Sequence, residues 1–253
     1  GVEYIKSIIK KHKDYKPTEI KYVFKGDVRK CYASFKHEYV RSVFRKRFKG
    51  KLAYRLLCSI LNVYYDKVID NKKYGIPIGF ATSQYICNIC LTPLDNFIKH
   101  KLKIKHYIRY MDDIVCFGRN KKKLHKCVKK INKFLSKIGM ELKNNWQVFR
   151  FDYIDKRGKQ KGRDIDFLGY RFFRNKTILR KDLSLRIKRQ AKRIYKKDIH
   201  NINMCRSFMA RAGWLKHCDA KHFIIEYIKP FVNIEEVKKF ISEFDKGVIQ
   251  GVF

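Results

Sequence analysis

The stretch that decides the fold reads Tyr107-Ile-Arg-Tyr-Met-Asp112-Asp113-Ile-Val-Cys-Phe117. Apolar and aromatic residues on both sides of Asp112 and Asp113 predict a strand, a tight turn and a second strand. Two adjacent carboxylates at the tip of a hairpin repel each other, so stability alone does not favour them. A bound divalent cation would remove that repulsion, and a plain polar turn is the alternative interpretation.

A third carboxylate lies upstream, at the end of a β-rich run that covers residues 20–27. This run predicts a strand whose last residue is Asp27. If the strand joins the hairpin in one sheet, Asp27 meets Asp112 and Asp113 at a common edge. Three carboxylates in that arrangement can bind two Mg²⁺ ions, which activate a 3′-hydroxyl and clamp a triphosphate for in-line attack.

Outside the acidic stretches, apolar periodicity predicts helices and strands that mix without regular βαβ repetition. The predicted helices cover residues 4–13, two segments within 38–69, a segment from about Gln84 that Ser83 caps, 124–138 and 183–199. Thr92-Pro93 is expected to kink or restart the helix that follows Ser83. A further strand or hairpin is predicted for 166–173. The fold class is therefore α+β, with helices on one face of a mainly antiparallel sheet.

Lysine and arginine dominate the charge. The 253 residues include 61 Lys and Arg against 23 Asp and Glu, which gives a formal net charge of +38. Such a chain repels itself unless a polyanion neutralises it, and nucleic acid is the commonest such partner. An anionic membrane surface is the alternative, but no apolar run approaches the ~20 residues that span a bilayer. We expect a nucleic-acid partner and no membrane.

One basic helix stands out, because an apolar stripe at helical spacing runs through seven cationic residues within 183–199. Seven like charges on one helix are costly unless an anion lies against them. We predict that Arg186, Arg189 and Arg193 contact phosphates of a nucleic-acid duplex. A solvated helix face is the alternative.

The eight cysteines are scattered within apolar stretches and show no disulfide spacing. This usage predicts a reducing compartment, and we expect a cytoplasmic protein. Cys87 and Cys90 form a CxxC pair. No second pair stands at metal-binding spacing, so buried cysteines on a helix face are favoured over a zinc site.

Four motifs in order resemble those of reverse transcriptases. Asp27 and Tyr110-Met111-Asp112-Asp113 are similar to motifs A and C of that family, residues 77–84 to motif B, and 167–170 to the primer-grip hairpin. The resemblance covers about residues 20–175. It implies a right-hand polymerase palm with partial helical fingers and an α-helical thumb. The implied boundaries are 1–19 and 38–74 for the fingers, 20–37 and 75–175 for the palm, 180–230 for the thumb, and 231–253 for a C-terminal tail.

The resemblance also implies roles for individual residues. Asp27, Asp112 and Asp113 would be the catalytic metal ligands, joined by the main-chain carbonyl of Val28, with two Mg²⁺ ions or Mn²⁺ as a substitute. Predicted deoxynucleotide contacts are Tyr32, which would exclude a ribose 2′-hydroxyl, Ile78, Gly79 and Lys143. Predicted nucleic-acid contacts outside the basic helix are Gln84 and Gly169. The implied partners are an RNA template, a DNA or RNA primer, deoxynucleoside triphosphates and a basic accessory protein.

The pattern Ile78-Gly79-x-x-x-Ser83-Gln84 is similar to that of reverse transcriptases from diversity-generating retroelements, which are bacterial or phage-encoded and error-prone. Residues 213–217 also resemble the thumb of that group. A defence-associated enzyme, of the abortive-infection or retron type, is one alternative. A non-catalytic, maturase-like RNA-binding protein is another, although three intact carboxylates argue against it.

The start of the chain departs from the family pattern. The fingers motifs that contact the incoming triphosphate normally precede motif A, and only 26 residues precede Asp27 here. The chain also begins at Gly1 rather than at Met. We therefore expect a fragment of a longer polymerase.

Overall fold

The computed structural model describes residues 1–12, 19–197 and 201–247. Contacts between Cα atoms divide the chain into two compact units. The central unit consists of residues 14–151, and the flanking unit consists of 1–13 and 152–253. No helix among the described residues combines the length and the apolar character needed to cross a membrane.

The described residues form ten α-helices and eleven strands. The helices are α1 Val2–Lys11, α2 Cys31–Ser34, α3 His37–Arg47, α4 Lys51–Asn62, α5 Ala81–Asn96, α6 Lys121–Lys137, α7 Lys181–Lys197, α8 Ile202–Ala212, α9 Lys221–Tyr227 and α10 Ile234–Asp245. The strands are β1 Tyr22–Asp27, β2 Lys67–Ile69, β3 Lys72–Tyr74, β4 Tyr107–Tyr110, β5 Asp113–Gly118, β6 Gln147–Arg150, β7 Tyr153–Ile154, β8 Gln160–Lys161, β9 Ile165–Phe167, β10 Tyr170–Phe172 and β11 Thr177–Leu179. A π-helical turn, Phe97–Lys101, follows α5, and a 3-10 turn, Gly213–His217, follows α8.

The central unit is built on a four-stranded sheet in the order β4-β5-β1-β6. All three strand pairs are antiparallel. Phe24, Ile114 and Cys116 point from this sheet into one apolar cluster with α5 and α6. Because side chains alternate across a strand, a shift of β1 by one residue would turn Phe24 away from this cluster. The α+β prediction is confirmed.

The flanking unit combines a three-stranded antiparallel sheet, β11-β10-β9, with helices. Helix α8 packs against both α7 and α10. The apolar stripe of α7 provides Ile187, Ala191 and Ile194, each at most 3% exposed. The region predicted as a C-terminal tail therefore contains a packed helix, α10, and residues 248–253 of it lie outside the described part.

The prediction of helix as far as residue 69 is wrong at its end. Helix α4 ends at Asn62, and β2 and β3 form a hairpin instead. The residues between these strands, Asp70 and Asn71, have φ angles of 48° and 58°. Two positive φ angles suit a two-residue hairpin turn, and Asp and Asn tolerate them better than most residues. This local turn signal overrides the helical spacing of the tyrosines before it.

The prediction that Ser83 caps a helix is also wrong. Helix α5 begins at Ala81, so Ser83 lies inside its first turn and is buried. The helix is not restarted at Pro93, because one α-helix runs through to Asn96. The hydroxyl of Thr92 donates to the Asn88 carbonyl at 3.0 Å, which adds a hydrogen bond next to the missing proline N–H.

The helix predictions for 4–13, 124–138 and 183–199 are confirmed as α1, α6 and α7 within a few residues at the ends. Residues 13, 198 and 199 of these ranges lie outside the described part. The unit boundary after Phe151 differs from the implied palm boundary at 175. Contact units and functional subdomains are different things, so the assignment of residues to palm, fingers and thumb stays a prediction.

Candidate active site

Three carboxylates are carried by two neighbouring strands and the turn beside them. Asp27 is the last residue of β1 and lies directly opposite Asp113, the first residue of β5. Residues opposed in this way have Cα atoms about 4.5–5.5 Å apart. The N–H of Val28 donates to the Asp112 carbonyl at 3.0 Å, which ties the turn to the end of β1. The strand pairing therefore places Asp27, Asp112 and Asp113 at one edge, as the sequence predicts.

The turn between β4 and β5 is held by a buried arginine. Arg109 donates from Nε and Nη2 to the two carboxylate oxygens of Asp95, each at 2.8 Å. Its Nη1 donates to the Met111 carbonyl at 2.8 Å and to Asn88 Oδ1 at 3.1 Å. Met111 has a φ of 52°, in the left-handed region where L residues are strained. Arg109 thus links the strained turn to helix α5, which supplies Asn88 and Asp95.

The environment of this arginine is dry and tightly paired. The Arg109 side chain is only 6% exposed. Burial disfavours its charged form, but the hydrogen bonds and charge of Asp95 outweigh burial and raise the pKa of Arg109. The Tyr107 hydroxyl also donates to Asp95, at 2.6 Å, and burial raises the pKa of Tyr107. Arg109 and Tyr107 therefore keep their protons across the physiological pH range.

Two lysines lie next to the carboxylates. The N–H of Lys143 donates to the Asp27 carbonyl at 2.8 Å, and its Nζ lies 3.4 Å from Asp27 Oδ2. Lys25 Nζ lies 4.0 Å from Asp113 Oδ2. The segment that carries Lys143 is fixed beside β1 because Val28 forms an antiparallel bridge with Leu142. The structure therefore brings the predicted residue Lys143 to the site.

Tyr32 faces the same turn from helix α2. Its hydroxyl lies 3.9 Å from the sulfur of Met111. Burial raises the pKa of Tyr32, so its ring stays neutral. The loop that contains Ile78 and Gly79 is pinned close by, because the N–H of Ile76 donates to the Tyr32 carbonyl at 2.9 Å.

The loop itself is open to solvent. Ile78 is 77% exposed, and Gln84 on α5 is exposed as well. Gly79 has a φ of 94°, and a Cβ added there would meet no atom within 4 Å. The glycine is therefore required by its backbone conformation and not by crowding. The structure leaves space above it that a ligand can enter.

Of the predicted nucleic-acid contacts in the flanking unit, Gly169 is packed against a side chain, whereas the three arginines line a groove. Gly169 has a φ of 78°, and a Cβ there would lie 2.6 Å from the Trp214 ring, so packing explains this glycine. Its contact with nucleic acid stays a prediction. Arg186, Arg189 and Arg193 line a groove of about 620 Å³ between α7 and α8.

Helix α8 completes this groove, which we call the arginine groove. It is lined by Arg186, Arg189, Gln190, Arg193, Asn203, Met204, Ser207 and Arg211. Arg211 Nη1 donates to Gln190 Oε1 and to Ser207 Oγ, each at 2.6 Å, which links the two helices. Lys188 and Lys192 of α7 lie against rings instead, since Lys188 Nζ is 3.6 Å from the centre of the Tyr227 ring and Lys192 Nζ is 5.2 Å from the centre of the Phe231 ring. Only part of the basic helix is therefore directed into the groove.

The donor set at the strand edge fits the predicted metal. Asp27, Asp112 and Asp113 offer carboxylate oxygens, the ligands that Mg²⁺ and Mn²⁺ prefer, and the predicted carbonyl of Val28 is another oxygen. The opposed strand positions allow two of these carboxylates to share an ion. The identity of the ligands stays a prediction.

The sequence reasoning missed Arg109, Asp95 and Asn88. A signal for Arg109 was present, because a cation interrupts the apolar arm Tyr107-Ile108-Arg109-Tyr110. A charged residue in a buried strand is rarely tolerated without a partner. Its partner Asp95 could not be identified from sequence, since many residues separate the two and only folding brings them together.

Comparison with known proteins identifies the family. The reverse transcriptase (RNA-dependent DNA polymerase) family matches residues 1–172. This is more than half of the chain, and the chain belongs to that family. The family predicted from the four motifs is therefore confirmed.

Individual relatives agree at the level of fold. The chain is similar to the COX1/OXI3 intron 2 protein of Saccharomyces cerevisiae, with 34% identity over 82 residues, which are 31% of this chain and 10% of that protein. Apo telomerase from Candida tropicalis matches with a TM-score of 0.58 at 14% identity, over 97% of this chain and 46% of that chain. Telomerase from Candida albicans, in complex with a TWJ fragment of telomeric RNA, matches with a TM-score of 0.54 at 12% identity, again over 97% and 46%. This chain thus spans less than half of the telomerase chains and a tenth of the yeast protein.

The pairing of Arg109 with Asp95 gives a testable prediction about stability. Arg109→Met leaves the Asp95 carboxylate half-buried without its bidentate partner, and such a loss costs about 3 kcal/mol or more. The free energy of unfolding from denaturant titration measures this cost. Arg171→Met is the matched control, because Arg171 also pairs bidentately with an aspartate, Asp164, but is 42% exposed. The control should lose under about 1 kcal/mol. If both variants lose the same free energy of unfolding, the contacts of Arg109 do not hold the turn.

Proposed function

We propose that the chain catalyses RNA-templated DNA synthesis by nucleotidyl transfer. The observation that carries this proposal is the meeting of Asp27, Asp112 and Asp113 at one edge of the central sheet. Membership of the reverse transcriptase family supports it. Three carboxylates at one sheet edge repel each other, and bound cations would offset that repulsion.

In the proposed reaction, a primer 3′-hydroxyl attacks the α-phosphorus of a deoxynucleoside triphosphate, and the bond to pyrophosphate breaks. Two bound Mg²⁺ ions would supply charge stabilisation and a more acidic 3′-hydroxyl. Asp27, Asp112 and Asp113 would hold these ions. Arg109 keeps the turn in position through the Met111 carbonyl. Lys143, whose Nζ lies 3.4 Å from Asp27 Oδ2, would give a proton to the departing pyrophosphate.

Nucleotide selection would fall to the residues around the turn. Tyr32 lies over Met111, where its ring can occupy the space that a ribose 2′-hydroxyl needs. This favours deoxynucleotides, and the ratio of ribonucleotide to deoxynucleotide incorporation by Tyr32→Ala tests it. Ile78 and Gly79 line the open loop, where the backbone can approach a nascent base pair.

The proposed partners are an RNA template, a DNA or RNA primer and deoxynucleoside triphosphates. The arginine groove supports a nucleic-acid contact, because four arginines surround one depression in the flanking unit. Guanidinium groups bind phosphate oxygens in a planar, bidentate manner. A basic accessory protein, a cytoplasmic location and a bacterial or phage origin stay predictions from the resemblance.

We also propose that the enzyme is error-prone and belongs to a diversity-generating retroelement, on the basis of Ile78. An amide at this position can hydrogen-bond near the nascent pair, whereas an exposed isoleucine can only pack. A defence-associated enzyme remains the alternative role for the same chemistry.

A second candidate function is that of a maturase-like RNA-binding protein. The similarity to a yeast protein named for an intron favours it. An RNA-binding protein would keep the basic groove but would have no use for the carboxylates. Catalysis therefore separates the two candidates.

The carboxylates give the central test. Asp112→Asn removes one anionic ligand, and the loss of several kcal/mol in the transition state corresponds to about a thousandfold slower primer extension on an RNA template. RNA affinity should change little, since the carboxylate does not attract phosphates. Asp70→Asn, at the tip of the β2–β3 hairpin, is the matched control and should extend normally. An Asp112→Asn variant that extends at the wild-type rate would falsify the two-metal proposal.

The arginine groove predicts a specific salt dependence. Each phosphate contact contributes about 0.7–0.9 to the slope of log affinity against log salt. The triple variant Arg186→Gln, Arg189→Gln, Arg193→Gln should therefore lower that slope by about 2 to 3. The matched control neutralises Lys121, Lys122 and Lys123, which are exposed on α6. If both triple variants change the slope equally, the groove is only a solvated surface.

The fidelity of copying tests the subgroup. Ile78→Gln introduces a hydrogen-bonding side chain, and once a bound template–primer excludes water from the loop, one hydrogen bond there would be worth about 1–3 kcal/mol, or roughly ten- to a hundredfold in error rate. Misincorporation opposite template adenine should fall more than opposite other bases, as measured by sequencing the cDNA. The control is Ile78→Leu, which keeps an aliphatic side chain. Wild-type copying that is as accurate at adenine as elsewhere would contradict the retroelement role and favour the defence-associated one.

A further inference from the structure

An exposed aromatic ring stands beside the candidate active site, and no role described above uses it. Tyr85, in the second turn of α5, is 72% exposed. Phe80, which precedes the helix, is 53% exposed. Aromatic side chains usually bury most of their surface against protein. Two such rings in solvent, next to a binding loop, mark a surface that a planar ligand can cover.

On helix α5, Tyr85 lies near the side that contacts the hairpin of β4 and β5. Asn88 lies three residues further along and accepts a hydrogen bond from Arg109 at 3.1 Å. The same guanidinium donates to the Met111 carbonyl at 2.8 Å. Helical residues three apart lie on one face, with Cβ atoms about 5–6 Å from each other. Tyr85 therefore stands one turn beyond the contact that joins α5 to the hairpin.

The core holds α5 in this orientation. Ile86 and Cys87, which follow Tyr85, are 1% and 0% exposed and belong to the apolar cluster of the central unit. Rotating the helix to bury Tyr85 would expose both of them. The ring of Tyr85 is therefore kept on the solvent side by the packing of its neighbours.

The end of the helix next to Tyr85 favours an anion. Helix α5 has no acidic residue in its first turn and no side-chain cap. The N–H groups at such a helix start attract phosphate oxygens. A stacking ring beside an anion-favouring backbone matches the two parts of a nucleotide, which are a planar base and a phosphodiester.

We propose that Tyr85 stacks on an unpaired base of the template strand, just ahead of the base pair that is being formed. This inference rests on the proposed polymerase function. The carboxylates would hold the metal ions that bind the triphosphate, and Tyr32 would face the sugar of the incoming nucleotide. The start of α5, beyond the loop that is pinned to Tyr32, is then left for the opposite strand. Stacking uses the face that all bases share, so the contact is independent of template sequence.

The test is a binding measurement without nucleotide, on a template–primer whose first unpaired template base is 2-aminopurine. In wild type, stacking on Tyr85 should change the fluorescence of 2-aminopurine when the template–primer binds. Tyr85→Ala should weaken binding about tenfold or more and abolish this fluorescence change, because one base–aromatic stack is lost. Tyr85→Phe keeps the ring and should bind within about twofold of wild type. Tyr65→Ala, which removes another exposed tyrosine of the central unit, is the matched control. A blunt duplex without an unpaired template base should bind equally to all four proteins.

The proposal is overturned if Tyr85→Ala binds the overhanging substrate as tightly as wild type does. It is also overturned if this variant loses equal affinity for the blunt duplex, because the contact would then not involve an unpaired base. Primer extension with the same preparations separates this inference from the proposed function. If wild-type protein extends primers and Tyr85→Ala binds normally, the proposed polymerase function holds and the stacking proposal fails. If the fluorescence change depends on Tyr85 but wild-type protein never extends a primer, the stacking proposal holds and the proposed polymerase function fails.

Discussion

The pairing of β1 with β5 in one register is the constraint on which the rest of the site depends. A shift of β1 by one residue would move Asp27 away from Asp113 and would turn Phe24 out of the apolar cluster. The same burial that stabilises the sheet therefore sets the position of the carboxylates. Stability and site geometry are coupled in this fold, because neither can change without the other.

Arg109 extends that coupling from the sheet to helix α5. One guanidinium contacts Asp95, Asn88 and the Met111 carbonyl, so the turn that presents the carboxylates moves with the helix. The loop before this helix is tied to α2 through Ile76 and Tyr32. The carboxylate edge, the proposed sugar contact and the proposed template contact thus belong to one connected part of the central unit.

The acidic and basic groups of interest lie in different places. Three carboxylates lie at the sheet edge, where Lys25 Nζ is 4.0 Å from Asp113 Oδ2 and Lys143 Nζ is 3.4 Å from Asp27 Oδ2. Arginines are concentrated in the groove between α7 and α8, where no acidic residue lines the surface. Cations at a carboxylate edge can be displaced by metal ions, whereas an arginine groove attracts phosphates directly.

The amino-acid sequence by itself determined the family, the acidic triad and the long amphipathic helices, because motifs and helical periodicity are local patterns. It also indicated Lys143, although many lysines surround it. The tertiary structure decided what depends on contacts between distant segments. It joined Arg109 to Asp95, selected three arginines of α7 for a groove with Arg211, and buried Ser83 inside a helix that it was expected to cap. Periodicity reports which face of an element is apolar, but only folding decides which polar groups from separate elements meet.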